Sequence, residues 1–206
     1  MDYRRLLGRY EGKTFKSRRQ FFPNSKRDDM QKYIVKTLGG GDIYKAIKPP
    51  SDDIHVNEWI AVNTIDFYNQ LNLLYGCVSD VCTRESCPVM SAGARYEYLW
   101  PATNASAASS SARPLKLAAP DYIEHMLNWV ESQLDDPRVF PEGDAFPPDF
   151  IQRVRPIHKR MFRFYAHVYH SHLKALEQMG EDRHMNTCFK HFLIFVTTVS
   201  IPEKSF

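Results

Sequence analysis

Residues 57–76 read NEWIAVNTIDFYNQLNLLYG, and this stretch decides the fold. Asn57 is suited to the N-cap of a helix and Gly76 to its C-terminal stop. Between these two residues, apolar side chains occur on more than one side of the helix instead of along a single stripe. Because such a helix must be surrounded by other elements, the sequence predicts a helical bundle with this segment at its centre.

Other segments have the patterns of helices and of one hairpin. Ser25, followed three residues later by Asp28, predicts a helix start, and the glycines at 39–41 predict its end. Further helices are expected at 42–47, 121–134, about 150–178 and about 184–198. The alternating segments ARYEYLW (94–100) and PLKLAA (114–119) predict a β-hairpin around the Ser/Ala-rich loop 101–112. The expected fold class is therefore mainly α with a small β-hairpin.

The formal net charge of +3 conceals a strong asymmetry along the chain. Residues 1–50 carry 13 Lys+Arg against 5 Asp+Glu, residues 51–150 carry 5 against 15, and residues 151–206 carry 9 against 4. Residues 1–24 are basic with few apolar side chains, so we expect a flexible N-terminal arm there and one helical domain over 25–206. The asymmetry indicates two differently charged partners, although chance segregation of solvated helix faces is the alternative.

Several classes of protein are disfavoured by the sequence. The apolar run at 192–196 is far too short to cross a membrane, and the N-terminus has no secretion signal, so we expect an intracellular protein. Four cysteines are too few for a disulfide scaffold of this size. The chain has no P-loop, no GxGxxG after a strand, no GxSxG and no HExxH. We therefore expect a protein without catalytic activity.

Two cysteines in the segment VCTRESCPVM (81–90) are candidate metal ligands. Cys82 and Cys87 could combine with histidines of FYAHVYHSH (164–172), where His167 and His172 fit zinc spacing and His167 and His170 better fit a straight helix. On a regular helix His167 and His172 are about 140° apart, so that pair requires a distortion or a helix end. Spacing alone leaves zinc and inert reduced thiols as open alternatives, while CxxxxC disfavours thioredoxin-like chemistry.

The helix expected near 156–173 has two distinct faces. At 100° per residue, an apolar stripe occupies one arc, formed by Ile157, Met161, Phe164, Tyr165 and Val168. Lys159, Arg160 and Arg163 occupy the opposite arc. Pro156 fits the first turn of this helix better than its middle. From the residues alone, the three cations form either a solvated basic face or a nucleic-acid contact.

Five blocks of sequence together resemble the Mob (Mps-one-binder)/phocein family of kinase coactivators. The similarity extends from about Lys13 to Ile201 and is nearest to the branch that activates NDR/LATS-type kinases in Hippo-like and mitotic-exit pathways. The blocks are NEWIAVNTIDFYNQLNLLYG, CTRESCPVMSAGARYEYLW, APDYI with WVESQLDD, KRMFRFYAHVYHSH and NTCFKHFLIF. The resemblance implies a helical domain built around a four-helix bundle, with a β-hairpin and one structural Zn²⁺.

The resemblance also implies roles for individual residues. Its zinc ligands correspond to Cys82, Cys87, His167 and His172. Its phosphopeptide pocket corresponds to Lys159, Arg160 and Arg163. Its kinase-binding surface corresponds to Glu58, Trp59 and Asp66, although plain core packing is the alternative for Trp59. Its phosphorylated positions correspond to Thr14 and Thr37.

The function expected from this resemblance is that of a zinc-stabilised adaptor. It would bind the basic N-terminal regulatory region of an NDR/LATS-type kinase and activate it, and it would dock phosphorylated segments of an upstream Hippo-type kinase or scaffold. The expected location is the cytoplasm, with the nucleus, spindle poles and centrosome as further sites. The alternatives are a nucleic-acid-binding zinc protein that uses the basic arm and basic helix, and a zinc hydrolase.

Overall fold

The computed structural model describes residues 19–101, 113–143 and 145–200. Seven α-helices are present in these ranges, and a short π-helical segment, Val196–Ser200, continues the last of them. The helices are α1 (Lys26–Gly39), α2 (Ile43–Ala46), α3 (Val56–Val78), α4 (Ala119–Leu134), α5 (Phe150–Ser171), α6 (Leu173–Met179) and α7 (Asp182–Phe195). The predicted mainly α fold class is confirmed.

Helix α3 lies at the centre of the molecule, as its sequence predicts. It contacts α1, α4, α5 and α7. Phe67, in the middle of α3, is fully buried, and its ring centroid lies 5.2 Å from that of Phe192 and 5.3 Å from that of Phe195. Neighbouring helices therefore cover α3 on several sides. Among the described residues, no helix is both long enough and apolar enough to cross a membrane.

The ends of the first long helices differ in how closely they follow the sequence prediction. Ser25 caps α1 as predicted, since its side chain accepts a hydrogen bond from the Asp28 main-chain N–H at 3.2 Å. The cap of α3 is His55, whose Nδ1 accepts from the N–H of Asn57 at 3.2 Å, so the predicted Asn57 cap is wrong. Helix α3 also runs past Gly76 to Val78, because the residues of its last turn are buried against the core.

The segment expected to form one helix over 150–178 is divided into α5 and α6. The break lies at His172, whose backbone angles are φ −129° and ψ 5°. Pro156 lies inside α5 and not in its first turn, because the helix already begins at Phe150. Gly180 ends α6 in the left-handed conformation, with φ 71°.

The segments predicted to form a β-hairpin lie side by side without forming strands in the described residues. Trp100 and Leu115 form an isolated antiparallel bridge, with main-chain N to O distances of 2.9 and 2.7 Å. Met90 connects the two segments, because its N–H donates to Leu117 O and its carbonyl accepts from the N–H of Tyr98. Three short stretches of chain are thus joined by main-chain hydrogen bonds next to α4, but a hairpin is not shown.

The part of the predicted N-terminal arm that the structure describes lies against α3. The main-chain N–H of Arg19 donates to Asn69 Oδ1, and Asn69 Nδ2 donates to the carbonyl of Arg19, each at 2.9 Å. Arg19 also pairs with Asp135. Residues 1–18 of the arm and residues 201–206 of the predicted domain lie outside the described residues.

Candidate metal centre and charged surfaces

Four cysteine and histidine side chains meet in the interior between the end of α3 and the end of α5. They are Cys82, Cys87, His167 and His172, and one candidate ligand atom from each lies within 4.8 Å of the others. Cys82 Sγ is 3.5 Å from His167 Nε2, and Cys87 Sγ is 3.4 Å from His172 Nε2. All four residues are buried. The structure therefore brings together the set that the resemblance implies.

The cysteine loop is held in place by hydrogen bonds at the end of α3. The N–H of Cys82 donates to Val78 O at 2.8 Å, and the N–H of Cys87 donates to Thr83 O at 2.9 Å. The Ser86 hydroxyl accepts from the N–H of Thr83 at 2.9 Å. These bonds fold the loop back on itself, so that both sulfur atoms face the end of α5.

The histidines reach the same point because α5 ends between them. His167 lies on the last regular turns of α5, whereas His172 is the first residue after Ser171 and has left the helical conformation. Its N–H still donates to Val168 O at 2.8 Å, which keeps it next to the helix end. The break removes the 140° separation that a regular helix would impose on this pair.

His170 is excluded from the cluster by its direction. Its side chain is exposed. The imidazole covers Gly93, where an added Cβ would lie 3.3 Å from His170 Nε2. Gly93 has φ +84°, a conformation that favours glycine. The alternative left open by the spacing, a ligand pair of His167 and His170, is therefore not the arrangement in this chain.

The geometry of the four donors fits a tetrahedral zinc ion. With Zn–S near 2.3 Å and Zn–N near 2.0–2.1 Å, tetrahedral sulfur and nitrogen ligands lie about 3.6 Å apart. The two S–N separations of 3.5 and 3.4 Å agree with this value. Two thiolates and two imidazoles fill all four positions and leave none for water or substrate. The set suits an ion that stabilises structure and not one that performs catalysis.

Hydrogen bonding orients His167, and burial keeps the thiol of Cys82 and the imidazole of His172 uncharged. His167 Nδ1 donates to the carbonyl of Ser91 at 2.8 Å, which directs the Nε2 lone pair towards Cys82. Burial, together with the neighbouring Cys87, raises the pKa of Cys82 to about 12. Burial, together with His167, lowers the pKa of His172 to about 4 and keeps this imidazole neutral at pH 7. Metal binding must therefore displace a thiol proton from Cys82.

The three predicted cations of α5 lie on one face, and two of them contact aromatic rings. Lys159 is exposed. The guanidinium carbon of Arg160 lies 4.2 Å from the ring centroid of Trp129 and 5.3 Å from that of Trp100. Arg163 Nη1 donates to the hydroxyl of Tyr122 at 2.6 Å. The face is thus built against α4 and is not simply a solvated helix surface.

These cations have no acidic partner within the part of the chain that the structure describes. Among residues 19–101, 113–143 and 145–200, no ion pair joins a carboxylate to Lys159, Arg160 or Arg163. Burial lowers the pKa of Arg160, the Tyr122 hydroxyl opposes this shift and the Arg163 charge adds to it. Because the positive charges are close together and uncompensated, the face is suited to an anion.

Sequence reasoning missed the aromatic residues that support these cations. Tyr122 and Trp129 are seven residues apart on α4, so they lie on the same side of that helix. This spacing was a usable signal. The contact of Trp100 with Arg160 could not be predicted from the sequence, because the position of Trp100 depends on the main-chain bridge to Leu115.

The model of the Mob1/phocein family matches residues 35–205. The chain belongs to the Mob1/phocein family. MOB kinase activator-like 1A of Medicago sativa subsp. falcata is 44% identical over 202 residues, which span 97% of this chain and 91% of the relative. MOB kinase activator-like 1B of Arabidopsis thaliana is 45% identical over 201 residues, which span 96% of this chain and 90% of the relative. MOB kinase activator-like 1 homolog B of Dictyostelium discoideum is 43% identical over 196 residues, which span 94% of this chain and 88% of the relative.

The three residues predicted to bind a kinase are all buried in this Mob protein. Trp59 is 1% exposed and its Nε1 donates to Ile47 O at 2.8 Å, which attaches α3 to the segment after α2. Asp66 is 1% exposed and Gln70 Nε2 donates to its Oδ2 at 2.6 Å. Trp59 thus has the packed environment of the core alternative, and Asp66 faces the bundle interior.

Glu58 borders a groove. It is 3% exposed, because Lys26 Nζ lies 2.8 Å from its Oε2 and Arg27 Nε lies 3.7 Å from its Oε1. A cavity of about 610 Å³ adjoins Glu58 and is lined by residues between 19 and 27 together with Leu134 and Asp135. Lys26 and Arg27, at the start of α1, therefore occupy the acidic side of α3 at Glu58.

The two predicted phosphorylation positions differ in what can be said of them. Thr14 lies outside the described residues. Thr37 is in the last turn of α1, partly exposed, and its hydroxyl donates to the carbonyl of Tyr33 at 2.7 Å. A phosphate at Thr37 would stand at the C-terminal end of a helix, where negative charge is unfavourable.

Proposed function

We propose that this protein is an adaptor that binds and activates a protein kinase of the NDR/LATS type. The observation that carries kinase activation is the similarity over nearly the whole chain to relatives named MOB kinase activator-like, and the NDR/LATS type is what the sequence resemblance implies. The sequence contains no P-loop, GxSxG or HExxH motif, and the metal donors leave no open coordination position. The protein would therefore act through binding, with one structural Zn²⁺ held by Cys82, Cys87, His167 and His172.

The proposed kinase contact is the acidic side of α3 at Glu58. A basic N-terminal kinase segment has the charge to replace Lys26 beside this carboxylate. Activation would follow if the bound adaptor makes more favourable contacts with the active arrangement of the kinase than with the inactive one. Trp59 and Asp66 would support this surface from within the core.

Phosphorylation is the proposed means of exposing the kinase site. Lys26 and Arg27 precede Thr37 on α1, and both face Glu58. Phosphates on Thr14 and Thr37 would attract the basic residues of the N-terminal segment and loosen the last turn of α1. The carboxylate of Glu58 would then become available to the partner.

The proposed second site is the cationic face of Lys159, Arg160 and Arg163. Guanidinium groups bind phosphate through paired hydrogen bonds. Among the described residues, neither arginine forms an ion pair with a carboxylate. Its ligand would be a phosphorylated segment of an upstream Hippo-type kinase or scaffold. We also propose that the protein is located in the cytoplasm, with the nucleus and spindle poles as further sites. Fluorescence imaging of the tagged protein would test this location.

Titration with two synthetic peptides tests the two sites separately. A basic peptide from a kinase N-terminal region should bind at low salt and weaken as salt rises, and a phosphothreonine peptide should bind without competing with it. Replacing Arg160 and Arg163 by Ala should abolish only the second interaction. Absence of binding to the basic peptide at low salt would contradict the adaptor function. A single-stranded oligonucleotide that displaces both peptides would favour the nucleic-acid alternative.

A further inference from the structure

We propose that Tyr122 and Trp129 are positioning residues, which fix Arg160 and Arg163 so that both guanidiniums can bond one phosphate group. The inference rests on the proposed phosphopeptide site and explains how that site is assembled. Both positioning residues come from α4 and both arginines from α5. The contact between these two helices would therefore determine how tightly a phosphate is held.

The two arginines need other restraints, because no acidic residue in the described part of the chain pairs with them. Arg160 and Arg163 are three residues apart on a helix, so their like charges repel each other. Within the described ranges, neither is paired with a carboxylate at ion-pair distance. A free arginine side chain also populates many rotamers, and ordering it on binding costs conformational entropy. A site with preordered guanidiniums avoids that cost.

Trp129 restrains Arg160 by stacking. The guanidinium carbon lies 4.2 Å from the indole centroid, and Trp100 covers it from a second direction at 5.3 Å. Arg160 Nη1 also donates to the carbonyl of Pro156 at 3.2 Å, one helical turn earlier. Stacking on an aromatic face attracts the cation without neutralising it. The planar group is thus fixed while its charge remains available.

Tyr122 restrains Arg163 through a neutral acceptor. Its hydroxyl accepts from Arg163 Nη1 at 2.6 Å, and the ring of Tyr98 lies 5.3 Å from the same guanidinium. Tyr122 itself is fully buried and its ring meets that of Trp100 edge-on at 5.2 Å. One of five guanidinium donors is used, which leaves the others for a ligand. A carboxylate at this point would cancel the charge that a phosphate requires.

The two restraints are connected, which favours a single ligand for both arginines. Trp100 contacts Arg160 and packs against Tyr122, which binds Arg163. A phosphate dianion offers three terminal oxygens, enough for two guanidiniums and the exposed Lys159. Loss of either positioning residue should therefore weaken binding to the phosphate and not to the rest of a peptide.

The test uses the full chain and a peptide with one phosphothreonine, together with its unphosphorylated form. Tyr122→Phe removes one oxygen atom and keeps the ring, and it should weaken phosphopeptide binding by roughly tenfold, the loss of one hydrogen bond to a charged group. Trp129→Leu should weaken it by a similar factor. Trp129→Phe retains an aromatic face and should restore most of the affinity. Arg160→Ala with Arg163→Ala defines the remaining background.

Two readouts separate positioning from general stability. Thermal melting of Tyr122→Phe should stay near wild type, while the arginine Nε–Hε NMR signals of residues 160 and 163 should broaden or shift. Equal wild-type binding to phosphorylated and unphosphorylated peptides would contradict the proposed phosphopeptide site on which this inference rests. Phosphate-selective binding that Tyr122→Phe and Trp129→Leu leave unchanged would overturn only the positioning role. If Trp129→Leu does not fold, Tyr122→Phe alone decides the question.

Discussion

Cys87 Sγ lies 3.4 Å from His172 Nε2, although 85 residues separate them and His172 is the first residue outside α5. The helix break allows the His-rich end of α5 to contribute a second histidine to the candidate metal site. His167, five residues earlier, faces Cys82 from within the helix. The site therefore joins the loop after α3 to both sides of the break.

Replacing His172 should remove the metal, whereas replacing the neighbouring His170 should not. His172→Gln deletes one of four ligands, so zinc content should fall from about one ion per chain towards zero, with a loss of several kcal/mol of unfolding free energy. His170→Gln is the matched control, because this exposed ring lies over Gly93. Elemental analysis and thermal melting measure both effects. Equal zinc loss in the two variants would contradict the assignment of ligands.

Features of the fold and of the candidate site that depend on local sequence patterns could be predicted, whereas features that depend on tertiary contacts could not. The central helix, the Ser25 cap and the common face of the α5 cations follow from periodicity and capping. The break at His172 does not, because nothing in the local pattern ends a helix at that residue. The resemblance to a family, and not the spacing, distinguishes His172 from His170 as a candidate ligand.

The burial of Glu58 and Asp66 was likewise unreadable from the sequence. An acidic residue on a helix is ordinarily exposed, and both were expected on a surface. Their burial depends on tertiary contacts, with Lys26 covering Glu58 and Gln70 donating to Asp66. Conversely, a core role for Trp59 was foreseeable, because a tryptophan on an apolar helix usually packs inside.

Removing Lys26 should increase the affinity for a basic kinase peptide. Its ammonium lies 2.8 Å from Glu58, the carboxylate proposed to bind the partner. Without this competitor, Lys26→Ala should strengthen binding severalfold, corresponding to about 1 kcal/mol, at low salt. Isothermal titration with wild type and variant measures the change.

Lys32→Ala is the matched control for this experiment. Lys32 is also on α1, but its Nζ pairs with Asp28 at 2.6 Å and not with Glu58. Its replacement removes the same charge from the same helix and should leave the affinity unchanged. If both variants change the affinity equally, net charge and not competition at Glu58 explains the effect.

A negative charge at position 37 should loosen the end of α1. Thr37→Glu places a carboxylate among the carbonyls of the last helical turn, which should cost about 0.3–1 kcal/mol. Amide hydrogen exchange over residues 34–41 should accelerate more than in the rest of the chain. Thr37→Val loses the hydrogen bond to Tyr33 O without adding charge, so it separates the two effects. Equal exchange in both variants would show that charge plays no part.

Acid should destabilise the fold through His158 and His191, two buried histidines of the bundle interior. Burial lowers the pKa of His158 to about 3 and that of His191 to about 4, below the ordinary value of 6.5. His158 Nε2 donates to Thr64 Oγ1 at 3.0 Å, because the Thr64 hydroxyl proton is used on Ile60 O. Neither ring nitrogen of His191 has a partner in the described structure.

The direction of the pH effect follows from these lowered values. A folded-state pKa below the unfolded value gives stability that is complete above pH 6.5 and is lost as the pH falls towards about 4 for His191 and about 3 for His158. At pH 5, each histidine should cost about 2 kcal/mol of unfolding free energy. Urea denaturation at pH 7.5 and pH 5 should therefore show a large decrease for the wild type.

His191→Phe isolates the contribution of one of these histidines. The ring of His191 packs against Phe67, with 5.0 Å between centroids, so phenylalanine suits the site chemically and cannot be protonated. The stability lost between pH 7.5 and pH 5 should be smaller in this variant by about 2 kcal/mol. His125→Gln, at an exposed position, should show the wild-type decrease. A decrease in His191→Phe as large as in the wild type would mean that His191 stays neutral in the unfolded chain or is protonated without cost in the folded one.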